Sequence, residues 1–217
     1  MYQPYLNLGH PSYYCYIKQL ILALSYDLRH LYELDQHLDR FLRSASMAKI
    51  NLPFDRSTIR SILIQNVIAS KCTQGSLRYW LSSGPGDFLL SPSGCPHPAL
   101  YAVVIQTTSL PEFKGTRVIT SSIPMKSPQF AIMKSVNYLP NVLSKMEAEE
   151  NDAFAAIWLD DEGYVAEGPN MNVGFVTKER ELVVPKFDKV CICDAIVFLC
   201  TRSFIYLTSL QQKCNLK

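Results

Sequence analysis

A chain of 217 residues, 48% hydrophobic and 18% charged, can bury a sizeable core in one or two domains and does not read as disordered. Its 21 basic and 19 acidic residues leave a net charge of +2, and no basic stripe gathers along the chain, so neither nucleic acid nor an anionic membrane is an expected partner. No apolar run reaches the ~20 residues of a membrane helix. Four histidines and seven cysteines lie at spacings that build no metal site, and the odd cysteine count favours reduced thiols inside a cell.

The first 30 residues lack a basic segment and an Ala-x-Ala cleavage site, and they are poor in arginine, unlike a transit peptide. A cytoplasmic protein is the expectation. From residue 31 the pattern becomes regular. "YELDQHLDRFLRSASMAKI" places Leu38, Phe41 and Leu42 at helical spacing behind a candidate cap at Asp35, and "FDRSTIRSILIQNVIASK" repeats the period with Ile59, Ile62, Leu63 and Val67. "SLRYWLSSG", "ALYAVVIQT" and "TRVITSSIPMK" read as strands separated by Gly and Pro. A helix over 138–150 leads into a meander: "FAAIWLD", a turn at 160–163, "YVAEG", "NVGFVTK" and "ELVVP".

Helices and strands mix without strict alternation, which predicts a mixed α/β (α+β) fold. Four segments follow: 1–30, atypical; 31–122, a small α/β domain; 123–190, part of a larger domain; and 191–217, an atypical tail.

Two residues invite chemistry. Lys134 closes the apolar run Ala131, Ile132, Met133 and reads as standing at a strand end, whereas Lys145 sits among Glu147, Glu149 and Glu150 on a solvated helix face. A partly buried lysine loses solvation of its charged form, and its free amine then attacks carbonyls, pyridoxal phosphate among them. Glu167 ends "YVAE" before Gly168 and Pro169 turn the chain. A carboxylate beside a pyridine nitrogen keeps it protonated, so that the ring accepts electrons.

"MKSVNYLPNVLSKMEAEE" with "AIWLDDEGYVAEGPNMNVGFVT" resembles the core of the class IV (fold-type IV) pyridoxal-phosphate aminotransferases. "LDQHLDRFLRSAS", "RYWLSSGPGDFLLSPSG" and "VAEGPNMNV" are most similar to the plant D-amino acid transaminase-like members, over about residues 31–190. The resemblance implies a two-domain fold with its C-terminal domain truncated, pyridoxal 5'-phosphate as cofactor, and transfer of an amino group between a D- or branched-chain amino acid and a 2-oxo acid. It implies Lys134 as the catalytic lysine that bonds the cofactor, Glu167 on the pyridine nitrogen, and Arg40 on the phosphate. Relatives are homodimers. On a helical wheel Arg40 lies opposite Leu38, Phe41 and Leu42, which by pattern alone faces solvent. By the resemblance it faces a cofactor cleft, and Lys134 and Glu167 share one cavity.

The departures point elsewhere. The family's Gly-Val-Phe or Gly-Val-Tyr segment before the first helix is absent, and Phe88 to Leu90 stand where bacterial D-amino acid transaminases carry Arg-x-His. "CICDAIVFLCTRSFIYL" replaces a Leu-x-Gly-x-Thr phosphate-binding turn. Weak cofactor binding and poor turnover are therefore expected. An aminodeoxychorismate-lyase-like elimination and an inactive truncated or splice product are the alternatives.

Overall fold

The computed structural model describes residues 16–22, 31, 33–86, 90–106, 116–176, 182–183 and 185, with 16–22, 176 and 182–183 described by backbone alone. The chain divides into two compact units. Unit 1 comprises Met1–Thr108 with Lys134–Val136, and unit 2 comprises Ser109–Met133 with Asn137–Lys217.

In unit 1 three strands form an antiparallel sheet in the order β1 (Tyr16–Leu22), β2 (Gly75–Ser82), β3 (Ala99–Gln106). Helix α1 (Leu34–Met47) packs on β1 and α2 (Arg56–Ser70) on β3. Period decides the core: Leu34, Leu38, Phe41 and Ala45 recur along α1, Ile59 and Leu63 along α2, and the alternate residues Leu77, Tyr79 and Leu81 point inward from β2. The Phe41 and Tyr79 rings meet edge to face at 4.8 Å.

Asp55 caps α2, its carboxylate accepting from Thr58 N at 2.7 Å. Asp35 does not cap α1, as its position had suggested. It lies inside the first turn and pairs with Arg56 and Arg60, clamping the two helices together. Gly84 closes the turn after β2 at φ +97°, where a Cβ would stand 1.9 Å from His97 O. Strand β1 arises within residues 1–30, the segment set apart as atypical, and pairs antiparallel with β2 along its whole length.

Unit 2 is built from shorter pieces. Strand β4 (Val118–Thr120) runs parallel to β5 (Ala155–Ile157), and the crossover carries the one-turn helix α3 (Pro128–Ala131) and α4 (Leu139–Glu150). Strands β6 (Phe175–Val176) and β7 (Leu182–Val183) pair antiparallel. Glu147 of α4 ties the chain after β4, accepting from Ser121 Oγ at 2.6 Å and Ser122 N at 2.9 Å. Lys145 is exposed on α4, 3.3 Å from Glu149. No helix among the described residues is long and apolar enough to cross a membrane. The altered tail at 191–217 and Phe88 and Leu89 lie outside the described residues.

Candidate active site

The site in unit 1 starts from one helix with two adjacent buried ridges. Beside the apolar ridge of α1 runs a polar one, His37, Arg40 and Ser44, at spacings of three and four residues. Arg40 is 5% exposed and His37 1%. The solvent-facing position that the helical wheel suggested for Arg40 is therefore overturned. Leu38 and Phe41 occupy only part of the covered arc, and polar groups fill the rest.

Within this ridge Arg40 Nη2 donates to His37 Nδ1 at 3.1 Å. A guanidinium has only donors, so His37 Nδ1 is the acceptor and the ring proton sits on Nε2. Burial above all, then the charges of Arg40 and Lys134, pushes the His37 pKa down to about 4, and the ring is neutral at pH 7. Tyr79 reaches the same neighbourhood from β2. Burial raises its hydroxyl pKa well above the ordinary value, while the Arg40 charge pulls against that rise. The Tyr79 hydroxyl has no hydrogen-bond partner among the described residues.

Lys134 is not at a strand end. It follows α3, which Pro128 opens and whose Ala131 is buried, and its backbone N–H donates to Ser44 Oγ at 3.1 Å across 90 residues of sequence. Ser44 thus anchors the lysine segment on the helix that carries Arg40. The charges of Arg40 and Lys134 both act on the buried His37 ring in this corner of unit 1.

Glu167 lies in unit 2, half-buried. Its backbone is pinned on both sides. Trp158 N donates to Glu167 O at 2.8 Å, Ala166 N to Trp158 O at 2.9 Å, and Gly168 N to Met171 O at 2.9 Å across a turn through Pro169 and Asn170. Asn141 Nδ2 of α4 donates to Pro169 O and holds that turn. Arg40 and Lys134 are thus brought together in unit 1, and Glu167 is placed at a fixed turn of unit 2.

His37, Ser44 and Tyr79 were missed from the sequence. The first two carried a usable signal, a polar stripe at 37, 40 and 44 running beside the apolar stripe. Among the described residues, no group of three or more His, Cys, Asp or Glu is arranged to hold a metal ion.

The chain belongs to the class IV aminotransferase family, whose model matches residues 23–193. It is 66% identical over 162 residues to the chloroplastic D-amino-acid transaminase of Arabidopsis thaliana, covering 74% of this chain and 43% of that protein. To the D-alanine aminotransferase of Bacillus licheniformis it is 32% identical over 152 residues, 69% of this chain and 52% of the relative. The chain therefore spans about half the length of these relatives. Among solved structures, a branched-chain amino acid aminotransferase with pyridoxamine 5'-phosphate superimposes with a TM-score of 0.77 at 21% identity, over 88% of this chain and 67% of that one. The branched-chain aminotransferase of the archaeon Thermoproteus uzoniensis, solved with norvaline, gives a TM-score of 0.73 at 18% identity, over 88% of this chain and 66% of that one. These likenesses show the mixed α/β fold of fold-type IV aminotransferases.

Proposed function

We propose that this chain carries cofactor-binding residues of a pyridoxal-phosphate transaminase that moves an amino group from an amino acid to a 2-oxo acid. The observation that supports it most is the pairing in unit 1 of a buried guanidinium with a lysine segment anchored to the same helix. The residues fit the cofactor's phosphate, since a dianion needs a fixed fork of donors, and the buried Arg40 guanidinium, held on one edge by His37, offers one.

When bound, pyridoxal phosphate supplies an electron sink for the carbanion left when the substrate's Cα proton departs. Lys134 Nζ is the group that would bond the cofactor aldehyde and would carry the Cα proton. Arg40 holds the phosphate. The Glu167 carboxylate would keep the pyridine nitrogen protonated; the Trp158 pairing and the following turn hold its backbone. Residues 31–122 and 123–190 are on this reading the small domain and part of the cofactor domain. A D-amino acid donor is favoured by the names of the Arabidopsis and Bacillus relatives. Homodimerisation and a cytoplasmic location, with the plastid as the alternative that the Arabidopsis name suggests, belong to the same proposal. Sedimentation and cell fractionation test them.

Affinity for the cofactor is expected to be low, because "CICDAIVF" at 191–198 holds neither a glycine nor a hydroxyl. The purified chain, titrated with pyridoxal phosphate, develops a band near ~410–430 nm that Lys134→Ala abolishes. A coupled assay with D-alanine and 2-oxoglutarate gives slow turnover that the same substitution removes. An unchanged band in Lys134→Ala would sink the assignment.

A further inference from the structure

We infer that His37 is a positioning residue: as the neutral Nε2–H tautomer it accepts a hydrogen bond from Arg40 Nη2 and so aims the rest of the guanidinium at an anion. The anion is the cofactor phosphate, so the inference rests on the reading above. A guanidinium is a rigid plane of five donors, and fixing one edge fixes the direction of the others. The arginine side chain is otherwise long and rich in rotamers. Here the fixing contact is one turn away on the same helix, at 3.1 Å, with both partners buried.

The choice of histidine has a physical reason. A carboxylate at position 37 would orient Arg40 equally well but would neutralise it and compete with the phosphate. A protonated imidazole has no lone pair to accept with and would repel Arg40. A neutral ring orients the guanidinium without cancelling its charge. Burial and the nearby charges of Arg40 and Lys134 keep it neutral. The same helix places Ser44 one turn further along to hold the lysine segment, so one ridge serves both ends of the arrangement.

The test uses the full chain, with pyridoxal phosphate and pyridoxal titrated separately by absorbance. The wild type is expected to bind the phosphorylated aldehyde more tightly. His37→Leu, which keeps bulk and removes the acceptor, lowers pyridoxal phosphate affinity about tenfold and leaves pyridoxal unchanged, the size of one lost charge-assisted bond. His37→Asn, whose Oδ1 can stand near the place of Nδ1, recovers most of that loss. Equal losses for both aldehydes in His37→Leu, or none, overturn the inference alone. If the wild type develops no band with either aldehyde, the cofactor reading falls and takes the inference with it. A readout free of cofactor is the ¹⁵N spectrum of histidine-labelled protein at pH 7. The Nε2–H tautomer is expected at His37, and an imidazolium or an Nδ1–H ring overturns the assignment.

Discussion

Unit 1 and unit 2 reach stability by different means. Unit 1 has strands of seven and eight residues and a core of Leu, Ile, Phe and Tyr side chains drawn from two helices and a sheet. Among its described residues unit 2 has strands of two or three residues, and its buried side chains are mostly Ala and Val around Trp158. It also leaves Leu139, Val142, Leu143 and Met146 exposed along one face of α4, with Leu139 at 66%. Hydrophobic stabilisation follows apolar area removed from water, so unit 1 draws mainly on packing. Unit 2 leans on polar ties: Glu147 to Ser121 and Ser122, Asn141 to Pro169, Asp160 to Glu162 N and Tyr164 N. The chemistry divides along the same line. Among the described residues, Arg40 and Lys134 belong to the unit with the larger core and Glu167 to the unit with the smaller one.

Phe41→Ala is the strongest way to break this contrast. Phe41 is fully buried against Tyr79, and its truncation should cost about 3–5 kcal/mol in denaturant unfolding followed by circular dichroism. A loss below about 1 kcal/mol would mean that the packing of unit 1 is not its main support.

Acid should act next, through His37. In the unfolded chain this ring takes a proton near its ordinary pKa of 6.5, and in the folded one only near 4. Protons therefore favour unfolding between these values. The contribution is complete above about pH 6.5 and fades as pH falls, the loss amounting to roughly 3 kcal/mol by pH 4. His37→Leu should flatten the stability–pH curve over that window. A wild-type curve already flat there would show that the ring is not buried neutral.

Gly84→Ala should cost about 2 kcal/mol, combining a left-handed φ with a Cβ driven against a backbone carbonyl. Melting temperature reads it, and an unchanged value would mean that Gly84 does not stand against His97 O as the structure has it. The smallest effect belongs to unit 2. Leu139→Ser and Val142→Ser on the exposed face of α4 should each change stability by no more than about 0.5 kcal/mol. A loss of several kcal/mol in either variant would show that this face is covered in solution, and would sharpen the contrast by revealing what unit 2 depends on.

Legibility in the sequence followed the range of the interactions. Helices α1, α2 and α4 were readable because each carries its period, and β2 and β3 because apolar, β-prone residues are bounded by Gly and Pro. Asp35 was misread as a cap because its partners, Arg56 and Arg60, lie on another helix. The segment before Lys134 was misread as a strand because Ala131, Ile132 and Met133 suit either state over so short a run. Strand β1 was not read from the sequence; in the structure it pairs with β2 along its whole length.

The sequence by itself determined the mixed α/β class, the helix periods and, through resemblance to a family that the comparisons then established, the three residues worth testing. Only the tertiary structure decided that Arg40 is buried, that His37 is neutral and bonded to it, and that Ser44 reaches a lysine segment 90 residues away. Periodicity records which face of an element is apolar. It does not record which polar group on the neighbouring ridge will find a distant partner, because that depends on the packing of elements far apart in the chain.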